Sequence, residues 1–237
     1  RVGEDGWELG IKALIDNAEC SHKARFTLVD AEGNEKASAI ADHRPRISAK
    51  LPVEDPVLWN GRKNPYLYTV RCEIFDSTTQ EVTDNIDIRT GLREYHIDSH
   101  KGFFLNGEHI KLHGVSRHQD RENMGNAITE KQHAEDVKII LDVGANSVRL
   151  AHYQQNSYFY DLCDESGLLV WAEVPVISRF SPKRNENAEQ QLVELIKQNY
   201  NHPSIFCWGI ENEITIARTR LSSSCGRMSQ DPCCFCL

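Results

Sequence analysis

Asn212 and Glu213 are two neighbouring polar residues that follow a short apolar run near the end of the chain. The run, residues 204–210, is almost entirely hydrophobic, as is typical of a parallel β-strand covered on both faces. In α/β barrels the catalytic side chains lie at the C-terminal ends of such strands. The position of this amide and this carboxylate therefore predicts a catalytic site at the end of a buried strand.

Glycoside cleavage is a reaction that an amide and a carboxylate can carry out together. One carboxylic acid protonates the departing oxygen, and in retaining enzymes a second carboxylate about 5–5.5 Å away attacks the sugar. On this hypothesis Glu213 is the proton donor, and Asn212 donates a hydrogen bond to a sugar hydroxyl. The alternative for Glu213 is a strand-end carboxylate that caps a helix or meets solvent.

Polar side chains also follow the three strands that the sequence predicts before this one. They are Arg117, His118 and Asp120 after the first strand, Arg149 and His152 after the second, and Glu173 at the end of the third. Polar groups that converge from several strand ends are the arrangement that supports catalysis in barrels. The alternatives are a structural ion pair for Arg149, interior imidazoles for the two histidines, and a supporting role for Glu173.

An alternation of strands and helices positions these residues. The predicted strands are residues 109–115, 146–150, 168–174 and 204–210. The first predicted helix follows Thr129, the second covers about residues 156–166 and the third about residues 187–200. Thr129 and Gln132 form a capping box, and Gly144 ends the first helix. This order predicts parallel strands joined by right-handed crossovers, and four strands are half of the eight that a barrel contains.

Residues 1–91 show short alternating strands and no helical periodicity. In the clearest strand, residues 66–74, alternate apolar residues share one face, which predicts a sheet with one side in a core. Several such strands predict an immunoglobulin-like sandwich, with Trp59 as a packing anchor. Gly102–Gly107 predicts a hairpin with a type I′ turn at Asn106 and Gly107.

Composition limits the classes of partner. Lys and Arg total 27 and Asp and Glu total 35, and the resulting net charge of −8 argues against nucleic acid or an anionic membrane. No apolar run reaches the length of a membrane span. Cysteines scattered among apolar residues are typical of a reducing compartment, which favours the cytoplasm, although the localisation itself stays undetermined.

Several aromatic and cysteine residues have simpler interpretations. We expect Trp171 and Trp208 in the core, and the three histidines His22, His43 and His133 in solvent. Residues 217–237 form an irregular tail with four cysteines, whose spacing does not match a paired zinc motif. We interpret this tail as the end of an incomplete gene product.

The runs GFFLNGEHIKLHGVSRHQDR, VRLAHYQQNSYFYDLCDESGLLVWAEVP and NHPSIFCWGIENE together resemble glycoside hydrolase family two, and most closely its β-galactosidases. The segment PVLWNGRKNPYLYTV is similar to the middle immunoglobulin-like domain of that family. The resemblance extends from residue 1 to about residue 216. It implies a multidomain protein, with an all-β immunoglobulin-like sandwich at residues 1–91 and the first half of a TIM (β/α)8 barrel at residues 92–216.

The resemblance also implies a role for each matching residue. Glu213 matches the general acid/base, and Asn212 matches the neighbour that holds the sugar 2-hydroxyl. His118 and His152 match pocket residues, and Arg149 matches the arginine that orients the catalytic carboxylates. Glu173 and Arg117 are candidates for support of the site. The implied reaction is removal of terminal β-linked galactose with retention. The alternatives are β-glucuronidase or another exo-β-glycosidase of the family, and a non-catalytic truncated product.

Three departures from the family pattern carry further expectations. The loop that is usually S-H-Y-P is A-H-Y-Q here, from Ala151 to Gln154. Ile177 and Arg179 stand where magnesium-binding members have a glutamate and a histidine, so we expect no metal and no other cofactor. No residue matches the family's nucleophilic glutamate, so this chain alone is expected to be inactive. A homo-oligomer is expected only for the full-length parent.

Overall fold

The computed structural model describes residues 2–3, 6–16, 21–42, 44–178 and 185–214. The described chain divides into two compact units, one made of residues 1–60 and 66–94, and the other of residues 61–65 and the chain from Tyr95 onward. None of the helices in these ranges is long and apolar enough to span a membrane.

The first unit is an immunoglobulin-like β-sandwich, as the sequence predicts. Its strands are β1 (Val2–Gly3), β2 (Gly6–Leu14), β3 (His22–Val29), β4 (Glu35–Asp42), β5 (Arg46–Val53), β6 (Tyr68–Asp76) and β7 (Val82–Thr90). One sheet has the order β1-β2-β5 and the other β4-β3-β6-β7, and every pairing is antiparallel.

The core of this unit contains side chains of both sheets, including Phe26 on β3 and Leu51 on β5. Tyr68 is buried in it, and the alternate residues of β6 pack against it, which confirms the predicted face. Trp59 is fully buried, and its backbone N–H donates to the Leu92 carbonyl over 2.9 Å. The prediction of a packing anchor is therefore confirmed.

The second unit contains a short 3-10 helix at Gly61–Lys63 and a small antiparallel sheet of β8 (Tyr95–Asp98), β9 (Gly102–Leu105) and β10 (Glu108–Ile110). Asn106 and Gly107 join β9 to β10, with φ of 50° and 78°. Two successive residues with positive φ are the mark of a type I′ turn, so the predicted hairpin is confirmed.

The rest of the second unit is the first part of a TIM barrel. Its strands are β11 (Gly114–Arg117), β12 (Ser147–Leu150), β13 (Leu169–Glu173) and β14 (Ile205–Gly209), and its helices are α1 (Glu130–Asp142), α2 (Ser157–Ser166) and α3 (Asn185–Asn199). The four strands are parallel and lie in chain order. This is the predicted alternation, with each predicted element after the first strand within a few residues of its observed place.

The prediction of a single strand over residues 109–115 is wrong. The chain leaves the antiparallel sheet after Ile110 and enters the parallel sheet at Gly114. The side chain of Asn146 binds the backbone at the break, since its Nδ2 donates to the Lys111 carbonyl over 2.9 Å and its Oδ1 accepts from the His113 N–H over 2.8 Å. These backbone groups are thus satisfied by a side chain instead of a neighbouring strand.

Capping residues fix where the helices begin and end. The backbone N–H of Thr129 donates to Gln132 Oε1 over 2.9 Å, which confirms the reciprocal half of the capping box. Asn156 caps α2 through its side-chain oxygen, which accepts from the Tyr158 N–H over 2.9 Å. Gly144 and Gly167 follow α1 and α2 with φ of 81° and 72°, a conformation that favours glycine.

Candidate active site

The face of the parallel sheet opposite its helices carries the polar residues of β12 and β13, Arg149 and Glu173. Val148 and Leu150 of β12 and Val170 and Ala172 of β13 are buried in the core beneath the helices. Since successive side chains of a strand point to opposite faces, the intervening Arg149, Trp171 and Glu173 point to the other side. These three residues therefore share one face of the sheet, and the register pairs Arg149 with Trp171.

Glu173 joins two of the predicted site residues. Its carboxylate accepts a hydrogen bond from Arg149 Nε, and its Oε2 lies 2.8 Å from His152 Nδ1. The Glu173 side chain is only 1% exposed, so the charge of Arg149 compensates a carboxylate that has little contact with water. With Glu173 ionised, His152 Nδ1 is the donor in this contact, and its Nε2 is left for another partner.

Asn212 joins the same network from the fourth strand. Arg149 Nη2 donates to Asn212 Oδ1 over 2.8 Å. The Asn212 backbone is held as well, since its N–H donates to the Val176 carbonyl over 2.8 Å and its carbonyl accepts from the Ser178 N–H over 2.9 Å. These contacts fix both the backbone and the amide of a residue that follows β14.

His118 lies beside this network. Its ring centroid is 5.3 Å from that of His152, with the two rings nearly perpendicular, and 6.0 Å from that of Tyr153. His118 is exposed and His152 half-buried. The peptide bond between Ala151 and His152, in the loop that departs from the family pattern, is cis. The imidazoles of His118 and His152 thus lie next to each other beyond the ends of β11 and β12.

Glu213 follows Asn212 directly and is exposed. Its φ is 55°, in the left-handed region that costs a residue with a side chain about 1–2 kcal/mol. Its carboxylate makes no hydrogen bond or ion pair with another residue in the part of the chain that the structure describes. Strained backbone of this kind is concentrated at functional sites, where surrounding contacts hold it. The firmly held Asn212 supplies such contacts.

Comparison with known proteins identifies the fold family. Residues 97–223 match the family described as glycosyl hydrolases family 2, TIM barrel domain, and residues 5–93 match glycosyl hydrolases family 2. The chain belongs to glycosyl hydrolase family 2.

Individual members of glycosyl hydrolase family 2 resemble most of the chain. A β-glucuronidase of Bacteroides fragilis is 46% identical over 179 residues, 71% of this chain and 26% of that protein. A β-galactosidase of Thermoanaerobacter pseudethanolicus is 32% identical over 209 residues, 86% of this chain and 28% of that protein. The crystal structure of an FMN-binding β-glucuronidase from Facaelibacterium prausnitzii L2-6 is 40% identical, with a TM-score of 0.83, over 93% of this chain and 35% of that one. The chain thus spans about a quarter of the length of these curated relatives.

Arg117 lies apart from the other predicted site residues. It is 6% exposed and faces the helices, because it pairs with Leu150 in the register of the sheet. Its Nε and Nη2 donate to Asp136 Oδ2 of α1 over 2.9 and 2.7 Å, and Gln155 accepts a further bond. Arg117 therefore fixes the end of β11 to α1, and a supporting role at the site stays a prediction.

His133 lies in the same layer as Arg117, and the expectation that it is solvated is wrong. It is 1% exposed, and its Nδ1 lies 3.0 Å from Arg117 Nη2. Burial lowers the pKa of His133, and the positive charge of Arg117 lowers it further. His133 is therefore a neutral interior group that packs between α1 and the sheet. His43 and residues 217–237 lie outside the described residues.

Trp208 is buried in the core as predicted, whereas Trp171 is only half-buried. Trp171 lines a cavity of about 240 Å³ with Arg149 and Phe206, and the Arg149 guanidinium carbon lies 5.6 Å from its ring centroid. Its position two residues before Glu173 was the available signal, because residues two apart on a strand share a face. Sequence reasoning missed Trp171 as a neighbour of the site.

The residues at the family's magnesium positions do not form a site in the described chain. Ile177 is exposed and pairs through its backbone with Asn212, and Arg179 lies outside the described residues. In the described ranges, one group of side chains has metal-like spacing, Asp161, Asp164 and His202. It lies at the start of β14, where Asp164 binds His202 and the Ser204 N–H. The absence of a cofactor stays a prediction.

Proposed function

We propose that the protein is a retaining exo-β-glycosidase in which Glu213 is the general acid/base. The observation that carries the proposal is the hydrogen-bonded network of Arg149, His152, Glu173 and Asn212, which fixes the residue next to Glu213. Family membership supports the reaction class, because the matching barrel domain is that of glycosyl hydrolases. The substrate is accordingly a carbohydrate.

In the proposed reaction Glu213 donates its proton to the glycosidic oxygen as the bond to the sugar breaks. A carboxylate on the opposite side of the ring forms the covalent intermediate, and Glu213 then takes a proton from the attacking water. Glu173 is unsuited to the attacking role, since Arg149 and His152 engage its two oxygens and it is buried. We assign Glu173 to support of the site.

The remaining side chains bind and orient the sugar. Asn212 Oδ1 is held by Arg149, so its Nδ2 is the group that donates to a sugar hydroxyl. His152 offers Nε2, because Glu173 occupies Nδ1. His118 lies beside it and contacts the same substrate. Arg149 keeps the amide and the buried carboxylate in one orientation, which lets the site meet the transition state without rearrangement.

For the sugar, we propose a terminal β-linked galactose, with β-glucuronide as the second candidate. The resemblance of the barrel segments to β-galactosidases favours galactose. The 46% identity to a protein named β-glucuronidase favours a glucuronide. No described feature of the chain binds a substrate carboxylate specifically. A homo-oligomer of the full-length protein stays a prediction.

The test is hydrolysis by the full-length protein that carries this chain, with para-nitrophenyl β-galactoside, β-glucuronide and β-glucoside compared at equal concentration. We expect turnover of one of the first two, with release of the β-anomer seen first by NMR. A larger kcat/KM for the galactoside supports galactose as the sugar, and a larger kcat/KM for the glucuronide supports a glucuronide. Failure to cleave any β-glycoside, or release of the α-anomer, contradicts the proposal.

A further inference from the structure

Two loops at the ends of β11 and β12 are joined on both sides of His118. The first loop is residues 117–121 and the second is residues 151–156. Before His118, the Arg117 carbonyl accepts from the Ala151 N–H over 3.0 Å and from Gln155 Nε2 over 2.9 Å. After His118, the N–H of the next residue donates to the Tyr153 hydroxyl oxygen over 2.9 Å. The peptide on each side of His118 is therefore anchored to the second loop.

Gln119 extends this attachment to a helix. Its Oε1 accepts from the Asn156 N–H over 2.8 Å, and Asn156 is the residue that caps α2. A helix start is a rigid support, because its backbone is fixed by the hydrogen bonds of the first turn. Gln119 thus ties the first loop to α2 as well as to the second loop.

The His118 side chain itself has no comparable support. It is exposed, and within the described part of the chain its imidazole forms no hydrogen bond. The position of its ring beside His152 therefore depends on the backbone that carries it. Tyr153 and Gln119 hold that backbone directly, and among the described residues neither forms a hydrogen bond with Arg149, Glu173 or Asn212.

We propose that Tyr153 and Gln119 are positioning residues that hold the backbone of His118 and keep its imidazole beside that of His152. The inference rests on the proposed function, in which both imidazoles contact the sugar. Misplacement of a binding group by even a small distance weakens the bound geometry, so loss of either anchor raises KM more than it lowers kcat.

The variants that test the inference remove single contacts in the full-length protein. Tyr153→Phe removes only the oxygen that accepts from the Gln119 N–H, and Gln119→Leu removes the oxygen that accepts from the Asn156 N–H. Each is expected to lower kcat/KM about three- to tenfold, the effect of one lost hydrogen bond. Gln119→Glu is the matched control, since its carboxylate still accepts that bond beside a helix N-terminus and should keep wild-type kinetics.

The same two substitutions in a His118→Ala background separate positioning from general structural damage. If Tyr153 and Gln119 act through His118, they cause no further loss there, because the ring that they position is gone. An equal loss in both backgrounds, or no loss in either, overturns the inference.

A crystal structure of the Gln119→Leu variant gives a readout that does not need activity. We expect the His118 ring to leave its position 5.3 Å from the His152 ring. An unchanged ring position overturns the positioning role even if the wild-type protein cleaves no glycoside. Absence of wild-type hydrolysis, with a displaced ring in the variant, contradicts the proposed function alone.

Discussion

Arg149 Nη2 donates a hydrogen bond to Asn212 Oδ1 over 2.8 Å, across the intervening strand β13. The contact joins β12 to a residue three positions beyond the end of β14, and these two strands are not neighbours in the sheet. It also orients the Asn212 amide, since the oxygen is directed to the guanidinium and Nδ2 is directed away from it. The position of Arg149 on β12 thus determines the direction in which Asn212 Nδ2 can donate a hydrogen bond.

Substitution of Asn212 by aspartate tests this orientation. Asn212→Asp keeps an oxygen for Arg149 and removes the Nδ2 donor, so we expect kcat/KM to fall about tenfold or more on substrates with a 2-hydroxyl. On the matching 2-deoxy glycoside the variant and the wild type should differ little. An equal loss on both substrates would show that the amide does not donate to that hydroxyl.

The buried imidazole of His133 predicts a pH dependence of stability. Its pKa is lowered by burial and by the charge of Arg117; Asp136, Arg121 and Glu130 also act on it. The unfolded chain takes up a proton below its ordinary pKa of 6.5, whereas the folded chain resists protonation. The contribution of His133 to the free energy of unfolding is therefore fully present above about pH 6.5. It is lost as the pH falls below that value.

The measurement is the free energy of unfolding in urea between pH 5 and pH 8, for the wild type and His133→Phe. The variant lacks this titration, so the stability of the wild type relative to the variant should decrease as the pH falls. A difference that is constant with pH contradicts the assignment. The comparison cancels the titration of groups that both proteins share.

Two helix-ending glycines provide a matched pair for a stability test. Gly167 and Gly144 both have positive φ, but a Cβ on Gly167 would lie 2.2 Å from the Gly61 carbonyl oxygen, whereas one on Gly144 meets nothing within 4 Å. We expect Gly144→Ala to cost about 1 kcal/mol in the free energy of unfolding. Gly167→Ala should cost about 3 kcal/mol or more, because backbone must move. Equal costs in urea unfolding would contradict the close contact.

The elements of the barrel portion follow from local features of the sequence. The run before Asn212 has the continuous hydrophobicity of a strand buried on both faces, and Gly144 and Gly167 have the residue type that ends helices. Polar residues at the ends of such strands, for example Glu173 and Asn212, could be recognised because they follow an apolar run. Each of these predictions depends on residues close together in the chain.

The features that the sequence did not predict depend on contacts between distant residues. Arg117 looks like a site residue by position, and only the register that pairs it with Leu150 places it under the helices. His133 lies on the face of α1 that also buries Val137 and Ile140, and its partner there is the same guanidinium. At the break after Ile110, the backbone is bound by the side chain of Asn146, more than thirty residues further along the chain. Periodicity carries no information on such partners.

The leaving-group dependence of Glu213→Gln in the full-length protein tests the central claim most directly. Acid catalysis by a positioned group contributes about 10²–10⁴-fold, and a substrate with a good leaving group needs little of it. We therefore expect the variant to lose about that factor in kcat/KM on an alkyl β-glycoside and far less on the dinitrophenyl β-glycoside of the same sugar. Equal losses on the two substrates would contradict the role of Glu213 as the proton donor.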